Sequence, residues 1–282
     1  MRFDSRTTLA RPDLASVDLQ GLVRAERFAA PRPMRLAAPC MALRAKPEPG
    51  AEQADQMLFG EVFDVLDEID GFAWGQARRD GYVGFVDRGA LTPEPAEPSH
   101  WVAVRSTWAF SEPSVRARPF GPLSLNALVS AEAEEGAFIK LRDAGWVPAA
   151  HLRKIGESLD DVAGAAQLFV GAPYLWGGRD ASGLDCSGLV QQALAACGRA
   201  APRDADQQAR LGTAVEPQAL QSGDLVAWKG HIGLMLDEER LIHANAHHMA
   251  VAVEPLSAAL ERIAAGGAGA PIAWRRFRPG AS

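Results

Sequence analysis

The feature that most constrains this chain is a change of hydrophobic period at Leu159. Between Met34 and His151, apolar and polar residues alternate in short runs. Gly60-Glu61-Val62-Phe63-Asp64-Val65-Leu66 and Tyr82-Val83-Gly84-Phe85-Val86 are two of them, and Pro, Gly and Asp clusters separate them. Such runs predict small antiparallel β structure. Beyond Leu159 the spacing turns helical. Leu-Asp-Asp-Val-Ala-Gly-Ala-Ala-Gln-Leu-Phe-Val-Gly predicts a helix ended by Gly171, and Ser-Gly-Leu-Val-Gln-Gln-Ala-Leu-Ala-Ala-Cys-Gly a second, with Gly198 where a left-handed cap belongs. Strands then return at Leu225-Val226-Ala227-Trp228, Ile232-Gly233-Leu234-Met235-Leu236 and Arg240-Leu241-Ile242-His243, with Asp237-Glu238-Glu239 turning the second hairpin. Helices followed by a meander predict an α+β domain over residues 159–280.

The first half repeats itself. Gly84-Phe85-Val86 followed by Leu91 recurs as Gly145-Trp146-Val147 followed by Leu152, an offset of 61 residues in both cases. A repeat of that size, all short strands, matches one SH3-like barrel. The expected division is an arm over residues 1–33, barrels over 34–93 and 99–155, and Thr92-Pro-Glu-Pro-Ala-Glu-Pro98 as a stiff linker between them. Within the arm, Asp13-Leu14 to Phe28-Ala29 reads as a short helix stopped by Pro31-Arg32-Pro33. Trp74, Trp108 and Trp146 read as core residues of the two β units.

Charge excludes some functions. Lys and Arg number 29 against 35 Asp and Glu, and the small acidic excess falls evenly on the two sides of Leu159. With no basic block, no nucleic-acid partner is expected. No membrane partner is expected either, since no apolar run approaches the roughly 18 residues a spanning helix needs. Asp4, Arg6, Arg11, Asp13 and Asp18 interrupt any export signal, so a cytoplasmic location is expected. Cys40, Cys186 and Cys197 contain no C-x-x-C pair, so neither a disulfide framework nor a thiolate metal site is expected, and any role for a cysteine is that of a thiol.

Cys186 is the cysteine placed for chemistry. A Gly-rich stretch, Pro173 to Leu184, delivers it to the start of an apolar helix, where unpaired N–H groups and the helix dipole favour a thiolate. Cys197, in Ala-Leu-Ala-Ala-Cys, reads as a small core residue. A nucleophilic thiol needs a base and an orienting group. His231 and His243 sit on neighbouring predicted strands, and the odd number of residues in the turn puts both on one face. Residues His243, His247 and His248 also suggest a metal set, but no nearby carboxylate completes it and no cofactor or metal is expected. Ala264 to Ala270 reads as a flexible loop, and Arg275-Arg276-Phe277-Arg278 as an edge strand and tail.

From about residue 159 onward the chain resembles the NlpC/P60 cysteine peptidases. The carriers are Pro-Tyr-Leu-Trp-Gly-Gly at 173–178, Leu-Asp-Cys-Ser-Gly-Leu-Val at 184–190, Gly-Asp-Leu-Val-Ala-Trp at 223–228, His-Ile-Gly at 231–233 and Ile-His-Ala at 242–244. The resemblance implies a papain-like fold and hydrolysis of amide bonds in cell-wall peptides. The two upstream β units resemble the bacterial SH3 modules of the subgroup that cleaves γ-D-glutamyl-diamino acid bonds in muropeptides with a free N-terminal L-Ala. It implies Cys186 as nucleophile, His231 as general base, His243 as its orienting residue and Tyr174 at the oxyanion or substrate. Asp185 and Ser187 would receive the terminal amine, with Tyr82 of the first barrel walling its pocket. Two positions depart from the family. Ala205 stands where relatives often carry Ser, and Val83 where an acidic residue follows the Tyr, leaving Asp80 as a substitute. The expected partners are peptidoglycan-derived peptides met during recycling. A non-catalytic wall-peptide binder and an amidase or acyltransferase on the same fold are the alternative readings.

Overall fold

Alternation in the first half produces strands, as periodicity requires. The computed structural model describes residues 3–93 and 97–277, and the chain divides into two units between Ile155 and Gly156. In the first unit, Gln53–Leu58, Cys40–Arg44, Val83–Asp87, Phe72–Ala77, Val62–Ile69, Arg32–Leu36 and Leu91–Pro93 hydrogen-bond in that order. Phe63 and Val65 point inward from Val62–Ile69 to join Met34, Leu36, Leu43 and Met57 in a core. A second β unit begins at His100 and has its own core, built on Val102, Leu123, Ile139, Leu141 and Val147. The 61-residue repeat has a structural counterpart. Val83–Asp87 leads through a 3₁₀ turn at Arg88–Ala90 into Leu91–Pro93, and Gly145–Pro148 leads through one at Ala149–His151 into Leu152–Lys154.

Two sequence readings need correction here. The described residues of the arm form no α-helix, only a 3₁₀ turn at Val17–Leu19. Leu14–Ser16 and Arg27–Ala29 form a parallel two-stranded sheet, and Leu9 and Leu14 pack against Trp74 and Phe85, so burial on the first β unit outweighs local helix propensity. Residues 94–96 of the proposed linker lie outside the described residues. The two β units are held by direct contact: Phe59 of the first lies in the core of the second, Leu128 N–H donates to the Phe59 carbonyl at 2.9 Å, and Arg35 pairs with Asp143. Among the tryptophans, Trp74 is core, Trp146 is half-buried, and Trp108 is 47% exposed because Thr107 and Ala109 take the inward positions of its strand.

In the second unit, helix α1 (Val162–Gln167) and helix α2 (Cys186–Ala196) precede a short α3 (Ala205–Gln208) and strands β1 (Thr213–Ala214), β2 (Leu225–Trp228), β3 (His231–Met235), β4 (Arg240–Asn245) and β5 (Ala250–Pro255). Helix α4 (Leu256–Ala265) and strand β6 (Ala273–Arg276) follow. The sheet order is β1-β6-β2-β3-β4-β5. Thus β6 is flanked on both sides and is not the edge strand expected; Arg276 pairs with Asp224, and Arg278 lies outside the described residues. The expected loop at Ala264 begins two residues later, after α4. That helix lays Leu256, Ala259, Leu260 and Ile263 on the sheet face carrying Val226, Met235 and Leu241. Leu225, Ile232, Leu234 and Ile242 alternate to the opposite face, and α2 packs against β3 and β4. Among the described residues no helix is long and apolar enough to cross a membrane.

Candidate active site

Cys186 is the first residue of α2, and its position is fixed by the residues around it. Asp185 caps the helix, accepting from Gly188 N–H at 2.7 Å, while its own N–H donates to the Gly178 carbonyl at 3.1 Å. The helix is pressed so closely onto this loop that a Cβ at Gly188 would sit 2.1 Å from the Gly178 oxygen. Only glycine fits two residues after the cysteine. Arg203, 1% exposed, grips the same turn. Its guanidinium donates to both Asp185 oxygens, at 2.9 and 2.6 Å, and to Ser187 Oγ at 2.9 Å. A paired arrangement of this kind is among the strongest hydrogen bonds a protein makes.

The histidines come from a gap in the sheet. Strands β3 and β4 are in register at Leu234↔Ile242 and Met235↔Leu241, and their registered pairing stops there. At the opened end, the Ile232 N–H acts on the Cys186 sulfur in the direction that favours the thiolate. His231 and His243 share a face, with His231 Nε2 2.8 Å from His243 Nδ1. Gly233 makes room for this pair, because a Cβ there would come within 3.1 Å of His243 Cβ. His231 uses Nε2 toward His243, which leaves Nδ1 as the nitrogen for a thiol proton. Tyr174, half-buried, donates its backbone N–H to the Met249 carbonyl at 2.9 Å.

Sequence reasoning missed two residues here. His243 Nε2 lies 2.7 Å from Glu254 Oε1, and Arg262 of α4 pairs with the same carboxylate. The expectation that no carboxylate stands near His243, His247 and His248 is therefore corrected. His243, His248 and Glu254 bring ligand atoms within 4.8 Å of one another. A cation there would have to take one His243 nitrogen, displacing its bond to Glu254 or to His231, and sit beside the Arg262 guanidinium.

Burial governs the protonation states. It pushes the Cys186 thiol up to about 12, helped by the Asp185 charge, against the opposing pull of the Ile232 and Ser187 N–H groups and of Arg203. The helix N-terminus does not produce the lowered thiol that the sequence suggested, because the sulfur is enclosed. His231 is held down at about 3 by burial and by His243. His243 is held down at about 4 by burial, against the opposing pull of Glu254. Tyr174 is raised to about 12 by burial and by the Cys186 and Asp185 charges, so its phenol stays protonated and able to donate. A thiol raised and imidazoles lowered are all neutral at pH 7. Alkylation of Cys186 by iodoacetamide in the free protein should therefore climb roughly tenfold per pH unit from pH 6 to 9, since the thiolate is the reacting form. A rate plateau across neutral pH would show a resting thiolate–imidazolium pair and contradict this assignment.

The match to known proteins follows this geometry. Residues 171–262 match the NlpC/P60 family, and residues 43–91 match the bacterial dipeptidyl-peptidase SH3 domain. The chain carries an NlpC/P60 domain. Its second expected barrel, residues 99–155, lies outside the SH3 match. A γ-D-glutamyl-L-lysine dipeptidyl-peptidase of Bacillus subtilis is 29% identical over 67% of this chain and 71% of its own length. Another, from Bacillus cereus, is 33% identical over 35% of this chain, an alignment that spans only 32% of the relative. The crystal structure of an NlpC/P60 family protein from Bacillus cereus superposes with a TM-score of 0.76 at 19% identity, covering 88% of this chain and all of that one.

Within the NlpC/P60 domain the structure joins His231 to His243, and holds Asp185 and Ser187 on either side of Cys186 through Arg203, with Tyr174 on the loop that precedes them. Asp185 and Ser187 are already engaged by Arg203, so an incoming amine would share acceptors that carry a guanidinium. Tyr82 and Asp80 belong to the first unit. Tyr82 lies in its hydrophobic core, and Asp80 accepts from the Tyr82 N–H at 3.0 Å.

Proposed function

We propose that this chain is a cysteine peptidase that hydrolyses the γ-D-glutamyl-diamino acid bond of muropeptides with a free N-terminal L-Ala. The observation that carries the reading is a sulfur, Cys186, at a helix N-terminus and under the influence of the Ile232 N–H, next in chain to His231, which is hydrogen-bonded to His243. The names of the Bacillus relatives support the bond assignment. In this reading His231 Nδ1 takes the thiol proton as sulfur attacks the γ-carbonyl carbon. The tetrahedral oxyanion is met by backbone N–H groups at the α2 start and by the Tyr174 hydroxyl, donors of a kind each worth about 10²- to 10³-fold in rate. His231 then gives its proton to the departing amine, and water hydrolyses the thioester.

The proposed partners are soluble peptides already released from wall polymer, since the L-Ala nitrogen of an intact stem is acylated by the glycan. Asp185 and Ser187 are proposed to recognise the freed amine. The direct trial is incubation with L-Ala-γ-D-Glu-diaminopimelate, its L-lysine counterpart and their N-acetylated forms, read by mass spectrometry. Release of the diamino acid from the free-amine peptides, at least tenfold faster than from the acetylated ones, is the expected outcome. Equal rates on both forms would refute the amine requirement, and intact peptides throughout would refute the activity.

A further inference from the structure

We infer that Glu254, held by Arg262, is a positioning residue that sets the proton arrangement of both histidines and thereby makes His231 Nδ1 the basic atom facing Cys186. The inference rests on the peptidase reading for its kinetic consequence, but its structural content does not. A carboxylate can only accept. Glu254 Oε1 lies 2.7 Å from His243 Nε2, so that nitrogen must carry the hydrogen. A neutral imidazole has one N–H, which leaves His243 Nδ1 as an acceptor. The 2.8 Å contact then requires His231 Nε2–H to donate, and His231 Nδ1 is left with its lone pair. One carboxylate thus dictates four nitrogens.

The chain topology supplies this carboxylate for reasons unrelated to the short blocks that carry the two histidines. Strand β5 pairs His243 with Ala252 and Leu241 with Glu254, so Glu254 stands diagonally from His243 on the same face. Arg262 reaches it from α4, two turns after that helix begins. Burial raises the Glu254 carboxyl, but its bonds to His243 and Arg262 outweigh this and hold it below the usual range. The groups facing His243 are His231 from β3, Glu254 from β5, His248 from the intervening turn, with its ring centroid at 6.4 Å, and Arg262 from α4. Only Glu254 bears a negative charge among them. When the thiol proton moves to His231 Nδ1, the S–H bond breaks, an N–H bond forms, and the new imidazolium is stabilised through His243 by this carboxylate. The logic parallels the buried aspartate of serine-protease triads, where replacement by asparagine leaves the fold but gives the wrong tautomer and costs about 10⁴ in kcat.

Glu254→Gln separates this role from packing. The amide keeps the size of the side chain but has a single acceptor, which Arg262 and His243 both need. Its NH₂ turned toward His243 Nε2 forces the hydrogen onto Nδ1 and then onto His231 Nδ1, which can no longer take a proton. The expected result is a kcat lowered by about 10²- to 10⁴-fold with KM changed less than threefold, on the bracket set by the triad precedent. Long-range ¹H–¹⁵N spectra of the resting protein should show Nε2–H tautomers for both His231 and His243 in the wild type, and an Nδ1–H tautomer in the variant. Arg262→Lys, which still donates to the carboxylate, should retain the wild-type tautomers and most of kcat. Wild-type tautomers in Glu254→Gln, or a kcat within threefold of wild type, would overturn the inference. If no peptide is cleaved even by the wild type, the tautomer spectra still decide it, and the peptidase reading fails separately.

Discussion

Replacing Cys186 by Ala is expected to lower kcat/KM on the free-amine tripeptide by about 10⁶-fold, the scale seen when a protease nucleophile is removed. The loss should be that large because the proposed acyl intermediate forms on this sulfur. Ser187, the adjacent hydroxyl, is engaged by Arg203 and Asp185. The fold should be untouched, since the cap of α2 belongs to Asp185 and the helix interior to Leu189, Val190 and Leu194. Cys197→Ala is the matched control. It follows the last residue of the same helix, half-buried, with a thiol raised by burial and with Arg199, Asp161 and Asp160 as its charged surroundings, and its replacement should leave kcat/KM within twofold. Loss of activity in Cys197→Ala with retention in Cys186→Ala would reverse the assignment of the two thiols.

Arg203→Met is expected to cost about 3–5 kcal/mol of stability, the range for a buried ion pair that loses one partner. The cost arises from what is left behind. Asp185 remains buried and charged, with Gly177 and Gly188 N–H groups but no counter-ion, and Ser187 loses a donor. For a domain of this size the melting temperature should fall by about 10–20 °C. Because Asp185 also fixes the first turn of α2, activity measured well below the melting point should fall as well. The double replacement Arg203→Met with Asp185→Leu should recover part of the stability, since removing both charges removes the unpaired one. A single variant as stable as wild type would show that the pair contributes nothing to this turn.

These two residues mark what the sequence could and could not reveal. Cys186 and His231 were legible because each sits in a short block whose glycine has a geometric reason: Gly188 for the close approach to Gly178, Gly233 for the approach to His243. The shared face of the histidines followed from strand alternation and an odd turn, which Leu236 N–H closes by donating to the Arg240 carbonyl. Arg203 stood in view, in Pro202-Arg203-Asp204-Ala205, but its partner lies 18 residues away across a loop, and no local period signals a long-range ion pair. Glu254 depends on the β4–β5 register, and Arg262 on a helix whose apolar spacing at Leu256, Ala259, Leu260 and Ile263 was present but unread. The arm failed for a different reason. Its leucines obey no strict period, and their burial against Trp74 and Phe85 is decided by the β unit they cover. The thiol's protonation state was misread because a helix N-terminus was weighed without the enclosure that opposes it.

The central claim is that Cys186 forms a thioester with the γ-carboxyl of D-Glu. Hydroxylamine added during turnover of L-Ala-γ-D-Glu-diaminopimelate tests it most directly, because a thioester partitions between water and the stronger nucleophile. The account predicts an L-Ala-γ-D-glutamyl hydroxamate that grows with hydroxylamine at the expense of the free acid, and its disappearance in Cys186→Ala. Free acid as the sole product at every hydroxylamine concentration, with diamino acid still released, would mean direct attack by water and would contradict it.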